Sequence, residues 1–174
     1  WFVGEMRVAE TFPTRHEFGR RDVTAANLSH NGEVWTPLSR ALASATIVSD
    51  LDLPATDVNK IRGQVMKGFA FVLMAESFCE GVLRGGPSLA TSEMLDSAVV
   101  AFEAAIAGGT SNGGATAVSL ANAARVGAAR AHLQAGRKAQ ALTLANAVPA
   151  GFAFNFTYLD DPAQRNRLGN RLWQ

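Results

Sequence analysis

Several features that would define a protein class are scarce in this sequence. It holds one cysteine among 174 residues, so no internal disulfide can form and no redox compartment follows. It has one tyrosine and is rich in alanine, which favours close-packed helices over sheets. The longest apolar run, residues 68–75, is far too short to cross a bilayer. These shortages exclude a disulfide-stapled fold and predict no transmembrane segment.

The sequence also lacks an excess of charge of either sign. The 16 basic residues nearly balance 15 acidic ones, which gives a net charge of +1. No global field is therefore available to attract nucleic acid or anionic lipid. Two small basic clusters, at residues 15–21 and 165–171, have acidic residues within the first (Glu17) and shortly before the second (Asp160 and Asp161), which is typical of a solvated surface. We expect no nucleic-acid partner.

Catalytic signatures are equally scarce. The histidines, His16, His30 and His132, fall in different elements, with no spacing for a metal site or a catalytic dyad. No Gly-x-Ser-x-Gly elbow or phosphate-binding glycine loop is present. Glu76 and Glu80 are four residues apart on a predicted helix, but no histidine accompanies them, so we interpret them as a solvated helix end. The sequence predicts a protein that is not an enzyme and needs no cofactor or metal.

The dominant pattern is one long helix over residues 56–83. Apolar residues recur there every three or four positions, as one face of a helix requires. Within it, residues 68–75 are apolar on every side, so we predict that this part is enclosed. Cys79 lies in the same stripe and is interpreted as a small buried hydrophobe. We predict that this helix is the spine on which the others pack, and that Arg-Gly-Gly-Pro at 84–87 ends it.

Four further helices are predicted around this spine. The first covers residues 31–49, with Pro37 tolerable only in its first turn. The next is capped by Thr91 or Ser92 and ends at Gly108 and Gly109, before a flexible loop at 110–116. The last two span residues 117–135 and 137–147. Because the joints between helices are short, we expect neighbouring helices to be antiparallel.

The predicted fold class is all-α. We expect an antiparallel helical bundle or repeat layer of tetratricopeptide-like hairpins, with a short β-like C-terminal segment. The small residues at 128, 129, 136, 141 and 145 match one tetratricopeptide-like unit, and a generic alanine-rich hairpin is the alternative. The predicted regions are an irregular N-terminal segment with at most a short helical piece (1–30), a helical repeat-like domain (31–150) and an extended aromatic tail (151–174).

An aromatic row follows the last predicted helix. After residue 149 the period changes to two, so that four rings would point to one side of a strand. Four rings on one face are too many to leave in water, so they cover the domain's own core or face a partner. With a tryptophan near the end of the chain, the candidate contact residues are Phe152, Phe154, Phe156, Tyr158 and Trp173.

Three stretches resemble a known family. They are NKIRGQVMKGFAFVLMAESFCEGVLRGGP (59–87), ARVGAARAHLQAGRKAQALTLANAV (124–148) and FAFNFTYLDDP (152–162). In this order they resemble the N-terminal half of the SusD/RagB family, helical-repeat lipoproteins that sit over outer-membrane uptake channels. The resemblance implies a non-enzymatic binding or scaffold component of a nutrient (glycan) uptake system. It also implies a transporter or other membrane-embedded protein as partner, an oligosaccharide as a further ligand, and a periplasmic or outer-membrane location in a bacterium.

A second interpretation retains the helical fold but does not include glycan binding. Members of that family are usually far longer, and no lipid-attachment cysteine lies near Trp1. The alternative is a structural accessory subunit that docks on a larger membrane-bound complex, such as a bioenergetic one. Because the sequence opens on Trp1 without a signal-peptide pattern, we expect a processed start or a part of a longer chain.

Overall fold

The computed structural model describes residues 12–20, 22–24 and 26–155. Most of these residues are helical, and a short hairpin is the one sheet among them. The predicted all-α fold with a small β segment is confirmed. In chain order the elements are α1 (Pro13–Arg20), α2 (Leu28–His30), a π-helical turn (Asn31–Trp35), α3 (Thr36–Ser49), α4 (Val58–Ser77), β1 (Glu80–Val82), β2 (Ser88–Ala90), α5 (Thr91–Asn112), α6 (Ala115–Gln134) and α7 (Lys138–Asn146).

These residues form two compact units. The larger unit, Trp35–Phe152, contains α3 to α7 and the hairpin. The smaller unit contains the described residues up to Val34 together with residues 153–155. The sequence-based division at residues 30 and 150 stays a prediction.

In the smaller unit, Asn27 begins α2 and links it to α1. Its buried side-chain amide donates to the Thr14 carbonyl oxygen at 2.6 Å and to a Glu17 carboxylate oxygen at 2.7 Å. The Asn27 oxygen accepts a bond from the backbone N–H of His30, which satisfies a donor of the first helical turn. The hydrogen bond from Asn27 is the main reason that the pKa of Glu17 lies below its usual value.

In the larger unit, α3 packs against α4. Pro37 falls in its first turn, where the N–H that proline lacks would have no intrahelical acceptor. Leu42, Ala45 and Ser49 are the buried residues of α3, and the helix ends at Ser49, as the sequence predicts. A Cβ on Gly63 of α4 would lie only 3.0 Å from the Ser49 nitrogen, so the glycine allows the close approach of the two helices.

The predicted spine, α4, is shorter than its sequence pattern. Asp57 caps its start by accepting two backbone N–H bonds from the first turn. Residues 68–75 are largely enclosed as predicted, although Phe69 and Leu73 are only half-buried. The helix ends at Ser77 rather than near residue 83, because the backbone becomes extended at the next residue and enters β1. Cys79 is consequently exposed, and the prediction that it is buried is wrong.

A β-hairpin replaces the last predicted turn of the spine. β1 and β2 are antiparallel, with Gly81 opposite Leu89. The chain reverses through Arg84 and Gly85, which both have left-handed backbone angles (φ 53° and 70°). The Arg-Gly-Gly-Pro sequence therefore makes a strand-to-strand turn and not a helix cap.

The position of this β segment differs from the prediction. It lies between α4 and α5, whereas the sequence predicts a β-like segment at the C-terminal end. Residues 152–155 have no strand structure, and the rest of the predicted strand lies outside the described residues. Packing fixes the observed hairpin, since a Cβ on Gly81 would collide with the ring of Trp35. That ring meets Phe78 edge to face, with the centroids 4.8 Å apart.

Two glycines that were predicted to end α5 lie inside it. The helix runs through Gly108 and Gly109 and ends at residue 112. A Cβ on Gly108 would collide with the Ala55 carbonyl oxygen, and one on Gly109 would lie 2.5 Å from the Ala117 carbonyl oxygen. Both glycines therefore serve close packing. The predicted loop at 110–116 is reduced to a turn at residues 113–114.

The predicted hairpin of α6 and α7 is present, with bounds that differ by two residues at most. In the turn, Gly136 has a left-handed φ of 76°. The Arg137 N–H donates to the His132 carbonyl oxygen at 2.8 Å, and the Gly136 N–H to that of Leu133 at 3.0 Å. This is a common helix ending with glycine in the left-handed position. The tetratricopeptide-like assignment of the pair stays a prediction.

Phe102 is the centre of the larger unit. Its ring is fully buried on α5, between α4 and α6. A Cβ on Gly68 of α4 would lie 2.6 Å from ring carbon Cε1, and a Cβ on Gly127 of α6 would lie 2.5 Å from the same atom. Phe69 meets the ring edge to face at a centroid distance of 5.0 Å. The bulky ring fits because both neighbouring helices lack a Cβ at the contact.

The helices alternate in direction, as predicted. The Asn112 side chain at the end of α5 donates to the Thr56 carbonyl oxygen, next to the start of α4, at 2.8 Å. Glu76 near the end of α4 bonds Arg130 near the end of α6. Consequently α4 and α6 run in one direction and α5 runs in the other.

A glycine-to-alanine pair tests the packing at Phe102. Gly127→Ala should destabilise the protein by about 1–3 kcal/mol, because the ring cannot move away from α6 without meeting Gly68. Gly32→Ala is the matched control, since a Cβ there meets no atom within 4 Å. Urea denaturation gives both free energies of unfolding. Equal stability of the two variants would contradict the tight packing of the Phe102 ring between Gly68 and Gly127.

Candidate functional site

The aromatic segment is described only in its first part. Phe152 and Phe154 are half-buried, while the residues at 151, 153 and 155 are exposed. This alternation is the one that the period of two predicts. A turn precedes the segment, in which the Phe152 N–H donates to the Pro149 carbonyl oxygen at 3.1 Å. Three further candidate residues lie outside the described part: Phe156, Tyr158 and Trp173.

The last of the described helices, α7, lies at an edge of the larger unit. Its main packing partner is α6, and Ala141 is its one buried residue. Leu142 on α7 is 63% exposed, and Leu133 near the end of α6 is 59% exposed. Single exposed leucines are ordinary, but here two lie on the terminal hairpin, next to the aromatic segment in sequence. We call Leu133, Leu142 and Phe152 the edge residues, since all three belong to the larger unit.

A charged cluster joins α4 to α6. The Glu76 carboxylate accepts from Arg130 through Nε at 2.6 Å and Nη2 at 2.9 Å, and the Gln134 amide also donates to it. The Glu76 side chain is 8% exposed, so the interpretation of this residue as a solvated helix end is wrong. Glu80 does not share its helix face, because Glu80 lies in β1 and accepts a bond from Ser88. The two carboxylates are therefore not a pair.

A second cluster joins α5 to the start of α7. Arg137 donates from Nη1 to an Asp96 carboxylate oxygen at 2.5 Å. His132 and Glu103 belong to the same cluster, since both Asp96 and Glu103 act electrostatically on the imidazole. Burial is the main cause that lowers the pKa of His132, with the positive charge of Arg137 second.

Among the described residues, no group of three metal-ligating side chains is found. His16 is exposed on α1, and His30 belongs to α2, where burial lowers the pKa of its imidazole. With His132 on α6, the three histidines are in different elements, as predicted. The described residues do show exposed leucines at the edge of α7 and charge pairs between helices.

The comparisons with known proteins leave the family open. No family model, no curated protein and no solved structure matches the chain. Within the described part, no helix is both long enough and apolar enough to pass through a membrane.

Sequence reasoning missed the partner of Glu76 and the hairpin. Arg130 is 54 positions from Glu76, and no local spacing connects two residues so far apart. The hairpin did leave a signal, because short runs around Glu80 and Leu89 flank the turn-forming Gly85. The helical spacing of apolar residues continues to residue 83, so the first of these runs is predicted as part of the helix and not as a strand.

Two glutamate variants test the assignment of the charged cluster. Glu76→Ala should destabilise the protein by about 1–2 kcal/mol, because it leaves the partly buried Arg130 without its carboxylate. That figure is below the usual cost of breaking a buried ion pair, since Arg130 keeps some contact with water. Glu80→Ala, at an exposed strand position, is the matched control and should change stability little. Thermal melting of both variants checks this, and a larger loss in Glu80→Ala would refute it.

Proposed function

We propose that the chain is a non-enzymatic binding or scaffold module of the SusD-like type. In this proposal it belongs to a nutrient (glycan) uptake system in a bacterial cell envelope, at the periplasmic side of the outer membrane. Its partner is a membrane-embedded transporter or complex. The observation that carries the proposal is the edge at α7, where the exposed Leu133 and Leu142 precede the half-buried Phe152 along the chain.

The low burial of α7 supports the presence of a protein partner. In a layer of helical hairpins, each unit covers its neighbour, and the last one needs a cap or a partner. Only Ala141 of α7 is buried, whereas α6 and α5 bury most of their apolar residues. Burial of an exposed leucine side chain is worth about 1.5–3 kcal/mol, so a partner on this edge would gain from Leu142.

The aromatic segment supports a protein partner by its sequence. Phe152 and Phe154 come after α7 in the chain, and aromatic residues are enriched in the anchors of protein interfaces. We assign Phe156, Tyr158 and Trp173 to the same contact by sequence alone. Phenylalanine and tyrosine rings also stack on sugars, which is why an oligosaccharide remains the second ligand of this proposal.

A structural accessory subunit of a larger membrane-bound complex is the second candidate. The observation that favours it is the pairing of charged residues with one another, as in Glu76 with Arg130 and Asp96 with Arg137. These ion pairs join helices of the bundle, and the exposed leucines of α6 and α7 leave an apolar contact for a partner. Permanent docking interfaces are of this apolar kind.

Two substitutions of exposed aliphatic residues by arginine test the proposed edge. Leu142→Arg should release the protein from its native assembly, because a charge replaces an exposed aliphatic anchor on α7. Val100→Arg on α5 is the matched control, since Val100 is similarly exposed, at 67%. Both variants should melt near the parent temperature, because neither side chain is buried.

The measurement is the size of the protein in membrane extracts of the cells that make it. The parent and Val100→Arg should elute in an assembly far larger than 18.4 kDa, and Leu142→Arg should elute alone. Elution of the parent as a monomer, or equal retention of both variants, would contradict the proposed edge. Titration of the parent with soluble oligosaccharides then separates the two candidates, since binding favours uptake and its absence favours the subunit.

A further inference from the structure

The start of α7 is held by the cluster around Arg137. Its guanidinium donates from Nη1 to Asp96 on α5, but its Nε and Nη2 are buried and have no hydrogen-bond partner among the described residues. The Nδ1 atom of His132 is in the same situation. His132 is also tied to the turn through its carbonyl oxygen, which accepts from the Arg137 N–H at 2.8 Å.

The charges that face His132 come from several elements. Asp96 and Glu103 on α5 favour its protonated form, whereas Arg137, just before α7, disfavours it. On α6 itself, Arg130 bonds Glu76 of α4. Arg130 is two positions from His132, about 200° around the helix, so this pair belongs to another face. Lys138, the first residue of α7, is exposed to solvent.

We propose that His132, Arg137 and Asp96 form a proton-sensitive clasp, which holds α7 on the bundle at neutral pH and releases it when His132 takes up a proton. The neutral imidazole can leave Nδ1 without a hydrogen. Protonation puts a hydrogen on this buried atom, which has no acceptor among the described residues. It also adds a second positive charge beside Arg137, and both cations then compete for Asp96.

The direction of the pH effect follows from the two states. In the released state the imidazole meets water and titrates near its ordinary pKa of about 6.5. In the closed state its pKa is lower, chiefly because of burial. Between these two values the released state binds more protons, so the clasp loses stability as the pH falls. Its full stability is present above about pH 6.5.

Hydrogen exchange of the whole chain tests the clasp. Protection factors for the amides of Lys138–Asn146, corrected for intrinsic exchange, are compared at about pH 7.5 and about pH 5.0. We expect protection of α7 to fall about threefold or more at the lower pH, and α5 around Phe102 to change less. His132→Gln should make α7 protection independent of pH. An α7 that is equally protected at both pH values would overturn the proposal.

A matched histidine variant distinguishes the clasp from destabilisation of the whole protein at low pH. His30→Gln removes an imidazole whose pKa is also lowered by burial, but which lies in the smaller unit. This variant should keep the pH dependence of α7. Should His132→Gln fail to fold, NMR titration of the parent decides, since α7 amide shifts and the His132 ring must share one midpoint. Different midpoints would refute the clasp, and neither readout depends on the proposed partner at α7.

Discussion

The ring of Phe102 fills a space that exists because α4 and α6 both carry glycine where they face it. Gly68 and Gly127 bracket the ring, and Phe69 meets it edge to face. This contact fixes the spacing of three helices at once. The interhelical ion pair between Glu76 and Arg130 depends on that spacing, since two charged groups at hydrogen-bond distance tolerate little displacement.

The same core leaves α7 at the edge. α4, α5 and α6 pack on one another, whereas α7 buries one residue and packs mainly on α6. Elements with few buried apolar contacts open at lower cost than the core does. That difference links the proposed binding edge at Leu142 with the proposed clasp at Asp96 and Arg137. A helix that is weakly held can both accept a partner and respond to one proton.

The sequence predicts helices well here because their packing is periodic, and periodicity is visible locally. It fails where the role of a residue depends on distant neighbours. Gly108 and Gly109 look like a helix stop, but they lie inside α5 because other backbone segments approach them. Cys79 shares the apolar spacing of α4, but the chain leaves the helix before it. Of the candidate site, the alternation at 152–155 was predictable, whereas the exposure of α7 needed the structure.

Phe102 and the two glycines that bracket it should act as one unit, and a double-mutant cycle measures the coupling of Phe102 with Gly127. Gly127→Ala, Phe102→Leu and the double variant are compared by urea denaturation. In the parent, the alanine should cost about 1–3 kcal/mol, and with the smaller leucine in place that cost should largely vanish. We expect a coupling free energy of about 1 kcal/mol or more between the two sites. Costs that add within about 0.5 kcal/mol would contradict it, since residues without contact behave in this way.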